Sequence, residues 1–128
     1  SVCVVQMKLA IIGSRSITND VMVLKTIHNY CVDNMPSVIL KSAGKGIDPT
    51  IEHYANANKI DTVNFLPYHL IDAQASFNSK YFFIRTKQII NNADKLLVLW
   101  DTKSKGTEYA IKYAQKLGIP VKVVKILK

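Results

Sequence analysis

The run Leu96-Leu97-Val98-Leu99-Trp100 narrows the possible folds of this chain more than any other stretch. Five apolar residues in succession are too few for a core helix and read as a strand buried on both faces, the pattern of a parallel sheet. A polar turn from Asp101 to Thr107 follows, with one glycine, Gly106. Ala110, Ile111, Ala114 and Leu117 then recur at helical spacing and predict one apolar stripe. A strand, a tight turn and a helix leave free backbone N–H groups at the helix N-terminus. Such an end carries roughly half a positive charge and attracts anions, phosphate above all.

Two further stretches repeat the device. Lys8 to Ile12 reads as the first strand, with the loop Gly13-Ser14-Arg15-Ser16-Ile17-Thr18-Asn19-Asp20 after it. Thr18, Asn19 or Asp20 can cap a helix running to about Asp33, with Val23, Leu24, Ile27 and Cys31 inward. Val38 to Leu40 is a second strand. The turn Ser42-Ala43-Gly44-Lys45-Gly46-Ile47-Asp48-Pro49 then opens a helix to about Asn58, with Asp48 as N-cap and Pro49 at the first helical position. Thr62 to Leu66 predicts a third strand, Pro67 to Asn78 an irregular flap, and Phe77 to Asn92 a third helix containing Arg85. Gly118 and Pro120 stop the fourth helix, and Val121 to Leu127 is the last strand.

Five strands alternating with four helices predict an α/β fold: a Rossmann-like open parallel five-stranded sheet with helices on both faces. Right-handed crossovers favour the order 3-2-1-4-5, in which the loops after strands one and four flank the crevice where strand order reverses. One domain is expected over 7–128, with residues 1–6 ahead of Met7 as a tag or upstream extension. At 128 residues the chain can bury a genuine core, and 48% hydrophobic against 20% charged residues excludes a disordered chain. No apolar run approaches a membrane span, and Cys3 and Cys31 are too few for a disulfide framework. No metal or cofactor motif is present, and a cytoplasmic protein is expected.

The net charge of +8 fits either a nucleic-acid partner or a solvated basic surface. The lysines are scattered among the elements, with no basic run interleaved with aromatic residues. More pointed is that 15 of the 17 basic residues are lysine, and only Arg15 and Arg85 are arginine. A chain that spells positive charge as lysine keeps arginine where a planar, bidentate fork matters, as on phosphate or carboxylate. Gly13-Ser14-Arg15 lets backbone approach a ligand and adds a hydroxyl and a guanidinium. It is neither the dinucleotide fingerprint nor a Walker A loop. Ser42 to Asp48, with Gly44, Lys45 and Gly46, is a tight turn whose N–H groups converge, although Asp48 reads first as a plain cap. Asp101, at the end of the fourth strand, is placed to accept from ribose hydroxyls. Trp100 reads as core, and His28 and His53 as helix-borne structural or surface residues. His69, beside Tyr68 in the flap, is the histidine placed to touch a ligand.

Gly13-Ser14-Arg15, the Ser42–Asp48 turn and Asp101-x-x-Ser104-x-Gly106-Thr107 together resemble the SLOG superfamily, which joins the SMF/DprA and Lonely Guy proteins. The small single-domain YspA/YpsA-like branch is most similar. The resemblance spans nearly the whole chain from Met7. It implies a Rossmann-like fold, a nucleotide-derived or phosphoribosyl ligand, a site lined by the glycine turns and the arginines, and a homo-oligomer, for which Tyr81-Phe82-Phe83 offers apolar surface.

Two departures bear on activity. Arg85 is followed by Thr86 where that branch often has Arg-Asn. Of the Lonely Guy Pro-Gly-Gly-x-Gly-Thr-x-x-Glu pattern only Gly106-Thr107 remain, and Ala110 stands where the catalytic glutamate falls. Glu108, two residues earlier, lies about 200° round the helix. It reads equally as a dipole-favoured residue and as a ribose acceptor. The expectation is therefore a sensor or sequestering protein that binds a nucleotide or nucleotide-derived small molecule through Gly13, Ser14, Arg15, Ser42, Gly44, Lys45, Gly46, Asp48, Arg85, Asp101, Ser104, Gly106, Thr107 and Glu108. The alternatives are a phosphoribohydrolase-like nucleotide N-glycosidic hydrolase using Glu108 or Asp101, and a DprA-like DNA-binding protein.

Overall fold

The computed structural model describes residues 6–43, 46–66 and 79–127. The elements run β1 (Lys8–Gly13), α1 (Asp20–Asp33), β2 (Val38–Ser42), α2 (Asp48–Ala57), β3 (Asp61–Phe65), α3 (Ser79–Asn91), β4 (Lys95–Trp100), α4 (Lys105–Leu117) and β5 (Val121–Lys125). All pairings are parallel and the order is β3-β2-β1-β4-β5, as the alternation of elements predicts. The register sets Gly13 opposite Leu99 and Ser42 opposite Phe65, so the loops after β1, β2 and β4 leave the sheet at one end.

Alternating side chains of the central strands feed two cores. Leu9, Ile11, Ile39, Leu97 and Leu99 pack with Val23, Ile27 and Cys31 of α1 and Ile51, Tyr54 and Ala55 of α2. Ala10, Leu40, Leu96 and Val98 pack on the other face with Ile89 and Ile90 of α3 and Ala110, Ile111 and Ala114 of α4. The apolar run in β4 is buried on both faces because helices cover both: Leu97 and Leu99 meet the α1/α2 layer, Leu96 and Val98 the α3/α4 layer. Each Leu or Ile so enclosed contributes about 1.5–3 kcal/mol.

Local chemistry sets the helix ends. Asn19 caps α1, its side chain accepting the Met22 N–H at 3.1 Å. Ser104 caps α4 through Thr107 N at 3.4 Å. Gly118 closes that helix with φ +81°, its N–H reaching Ala114 and Gln115 carbonyls.

Several expectations need correction. Asp48 is not the N-cap of α2: Ile47 takes that position without a side-chain bond, and the Asp48 carboxylate accepts instead from Ser42 Oγ at 2.8 Å. Leu117 leaves the apolar stripe and is 47% exposed, because α4 ends there and runs past the sheet, while Thr107 fills the buried line one turn before the alanines. Leu24 is only half-buried, at the margin between α1 and α2. β1 and β2 extend through Gly13 and Ser42, and β5 stops at Lys125. The expected flap with Tyr68 and His69, and the turn residues Gly44 and Lys45, lie outside the described residues.

Candidate functional site

Four of the expected site residues form one hydrogen-bonded knot between the β1 and β4 loops. Ser14 is 1% exposed and its N–H donates to the Leu99 carbonyl at 3.0 Å. Its Oγ shares a bond with Thr107 Oγ1 at 3.1 Å and accepts the Asp101 N–H at 3.1 Å. Thr107 Oγ1 donates in turn to Ser104 Oγ at 3.1 Å. These hydroxyls are turned inward, where they tie the loops together.

Asp101 holds the rest of the turn. Its Oδ1 accepts the N–H groups of Lys103 at 2.9 Å and Ser104 at 2.7 Å, and its Oδ2 accepts from Ser16 Oγ at 2.7 Å. The Ser16 bond first, then the two amides, stabilise the ionised form and pull its pKa down to about 2. A carboxylate so held is an acceptor at neutral pH and cannot serve as a general acid there. Trp100 is half-buried against the α3/α4 core and donates its indole N–H to the Ser104 carbonyl at 3.2 Å, closing the turn from the strand side. Thr102, between these bonds, has φ +69°, a left-handed conformation rare for a β-branched residue.

The glycines serve close packing. A Cβ on Gly13 would run into the buried side chain of Ile47, and one on Gly106 would stand 2.7 Å from Phe82 Cε1. Gly46 combines φ +83° with an approach in which a Cβ would lie 3.7 Å from the Arg15 Cα. The second turn is thereby brought against the first.

The two arginines converge on the same end of the sheet. Arg85 of α3 is half-buried, and that burial lowers its pKa; the Asp48 carboxylate counters this, and the Arg15 guanidinium adds to it. Arg85 therefore lies within electrostatic reach of both Asp48 and Arg15. The Arg85 guanidinium also sits 5.6 Å from the Phe82 ring centroid, and Phe82 is the ring that meets Gly106. Contacts thus join Arg85 through Phe82 to the start of α4. Arg15 itself is exposed. Glu108 faces away: it bonds Lys112 at 2.9 Å, which with Lys105 lowers its pKa, while Ala110 is fully buried.

Sequence reasoning missed Ser16 and Lys87, and read Phe82 only as apolar surface for an oligomer. Ser16 carried a signal, lying in the same loop as Arg15. The other two did not, because their roles arise where helices meet. Although the sequence has no basic run interleaved with aromatics, the fold assembles one. Arg85 stands over Phe82, Lys87 Nζ lies 5.7 Å from the Tyr113 ring centroid, and Phe82, Phe83, Tyr109 and Tyr113 follow one another at centroid steps of 5.6, 4.6 and 6.2 Å. Tyr81, Phe82 and Phe83 are partly covered rather than freely exposed, and the last two pack against α4.

No family model and no curated protein matches the chain. Among solved structures, the X-ray structure of DNA processing protein A (DprA) from Streptococcus pneumoniae superposes with a TM-score of 0.74 at 20% identity, over 92% of this chain and 50% of that one. The fold is DprA-like. DprA from Helicobacter pylori, described for its single-stranded DNA binding mode, matches with a TM-score of 0.70 at 20% identity, over 91% of this chain and 64% of that one. The chain therefore spans between half and two thirds of these DprA chains. The likeness to DprA carries the fold alone. No described helix is long and apolar enough to cross a membrane, and no group of metal-ligating side chains occurs among the described residues.

Proposed function

We propose that this end of the sheet binds a nucleotide or nucleotide-derived phosphorylated molecule, which the protein senses or sequesters. The observation that carries the reading is that Arg85 lies within electrostatic reach of the Asp48 carboxylate and of Arg15, the other arginine of the chain, whose Cα stands beside Gly46 of the second turn. Asp48 offsets part of the charge on Arg85, Arg15 adds to it, and a phosphate completes the balance with bidentate bonds. The N-terminus of α4 lies beside them through Phe82 and adds backbone N–H groups and its dipole. The inward hydroxyls of Ser14 and Thr107 act as braces for this geometry, and Asp101 keeps the α4 turn in shape. Membership of the YspA/YpsA-like branch and a homo-oligomer belong to the same reading. Native mass spectrometry of the protein purified from cells tests it. A co-purifying phosphorylated small molecule, lost in Arg15→Ala, is expected; release of free base from added nucleoside monophosphates would replace sequestration with hydrolysis.

A second reading is favoured by the row of aromatic rings topped by Arg85 and Lys87, together with the DprA-like fold: single-stranded DNA, its phosphates on Arg85 and Lys87 and its bases on the rings. It predicts binding of oligothymidylate that weakens steeply with salt, with Phe82→Ala and Tyr113→Ala each reducing affinity. Arg15→Ala then matters no more than loss of a surface lysine.

A further inference from the structure

Among the described residues Lys41 is the only buried basic side chain, at 4% exposure. An ammonium taken out of water needs partners. Lys41 follows Ile39 by two residues of β2, so strand alternation turns it to the α1/α2 face of the sheet. There its Nζ lies 3.4 Å from Glu52 Oε2 of α2 and 3.4 Å from the Ser42 carbonyl. Both Glu52 oxygens lie in turn 3.3 Å from Thr62 Oγ1 of β3. One buried cation thus joins β2 to α2 and, through Glu52, to β3.

The start of α2 lacks the usual local anchor, since Ile47 at the N-cap position makes no side-chain bond. Two ties to the sheet stand in its place. Ser42 Oγ donates to Asp48 Oδ2 at 2.8 Å, and one turn further on Glu52 takes Lys41. The ties leave adjacent residues of β2 and land four residues apart on α2, on one helix face. Between them they bracket the second turn, which brings Gly46 against the Arg15 backbone and Asp48 within reach of Arg85.

We propose that Lys41 is a positioning residue for the arginine end of the sheet: its ammonium fixes the start of α2, and so sets where Asp48 stands beside Arg85. The clamp is a property of the free protein, and only its consequence for a ligand rests on the anion reading above. A buried ion pair adds little to stability, because desolvation offsets its attraction, and its best attested use is to select one register. Here Glu52 is also 38% exposed, and water weakens the pair further. Its effect therefore falls on geometry rather than on stability.

The test replaces the pair in the full chain by apolar side chains of similar volume, Lys41→Met together with Glu52→Leu. The urea midpoint is expected to stay close to wild type, as such swaps of buried pairs cost little. Ile51 donates its N–H to the Ile47 carbonyl in the first turn of α2, and its amide exchange is expected to rise about tenfold. Exchange at Asn58, bonded to Tyr54 at the other end of the helix, is expected to stay unchanged. The Arg85 side-chain resonance is expected to shift, and pyrophosphate to bind about three- to tenfold more weakly. Lys41→Arg, which keeps the cation, is expected to restore most of the wild-type exchange and resonance. Unchanged exchange at Ile51, or equal acceleration at Ile51 and Asn58, overturns the proposal. So does faster Ile51 exchange with the Arg85 resonance unmoved. A wild-type protein that binds no pyrophosphate counts against the anion reading alone, and the exchange and the resonance then decide the role of Lys41.

Discussion

Ser14 and Thr107 stand 93 positions apart and meet as a buried hydroxyl pair at 3.1 Å, fastening the β1 loop to the first turn of α4. Ser14 Oγ also accepts from Asp101 N, so its loss leaves that N–H without this partner and Thr107 Oγ1 with Ser104 Oγ alone. Ser14→Ala is expected to cost about 1–3 kcal/mol in urea denaturation. Thr107→Ser, which keeps the hydroxyl, is expected to cost less, and an unchanged midpoint in Ser14→Ala would show that the knot is not needed.

Gly106 touches Phe82 so closely that a methyl group must displace the ring. Gly106→Ala is expected to destabilise by about 1–3 kcal/mol through overpacking. Phe82→Leu in the same background is expected to recover part of the loss. Strict additivity of the two changes would mean that they do not meet.

Much of this was legible in the chain, for physical reasons. The β4 run and the regular alternation of elements specified the parallel sheet and its order, and the scarcity of arginine marked Arg15 and Arg85. What the sequence hid depends on long-range contact. Nothing near Asp48 announces that Ser42, six residues back, will take its carboxylate and leave α2 without a side-chain cap. Gly13 and Gly106 read as ligand-cradling glycines, yet each has a side chain from another segment packed against it. The aromatic row on α3 and α4 exists only once those helices lie side by side.

Thr102 holds φ +69° between the bonds that Asp101 makes. A left-handed conformation costs an L-residue about 1–2 kcal/mol, part of which glycine returns through its looser unfolded chain. Thr102→Gly is expected to raise stability by up to about 1 kcal/mol, measured by thermal unfolding. A clear loss would mean that the threonine side chain has a role of its own.

Asp101 titrates at about 2 in the folded protein, below the about 3.9 of an unfolded aspartate. Because its folded value is depressed, its stabilising contribution is complete above pH 4 and is lost as pH falls from there through 2. Asp101→Asn is expected to flatten the stability profile across that window and to lower stability at neutral pH. An identical acid limb in the variant would remove Asp101 from the set of groups that hold the turn.

The proposal that Arg15 and Arg85 grip one anion is tested most directly by calorimetric titration with inorganic pyrophosphate and with adenosine monophosphate. Arg15→Ala and Arg85→Ala are each expected to weaken binding by about tenfold or more, the loss of a charge-assisted bond. Lys122→Ala, on the exposed side of β5, is expected to change nothing. Binding that survives both arginine changes, or falls equally with Lys122→Ala, would contradict the account.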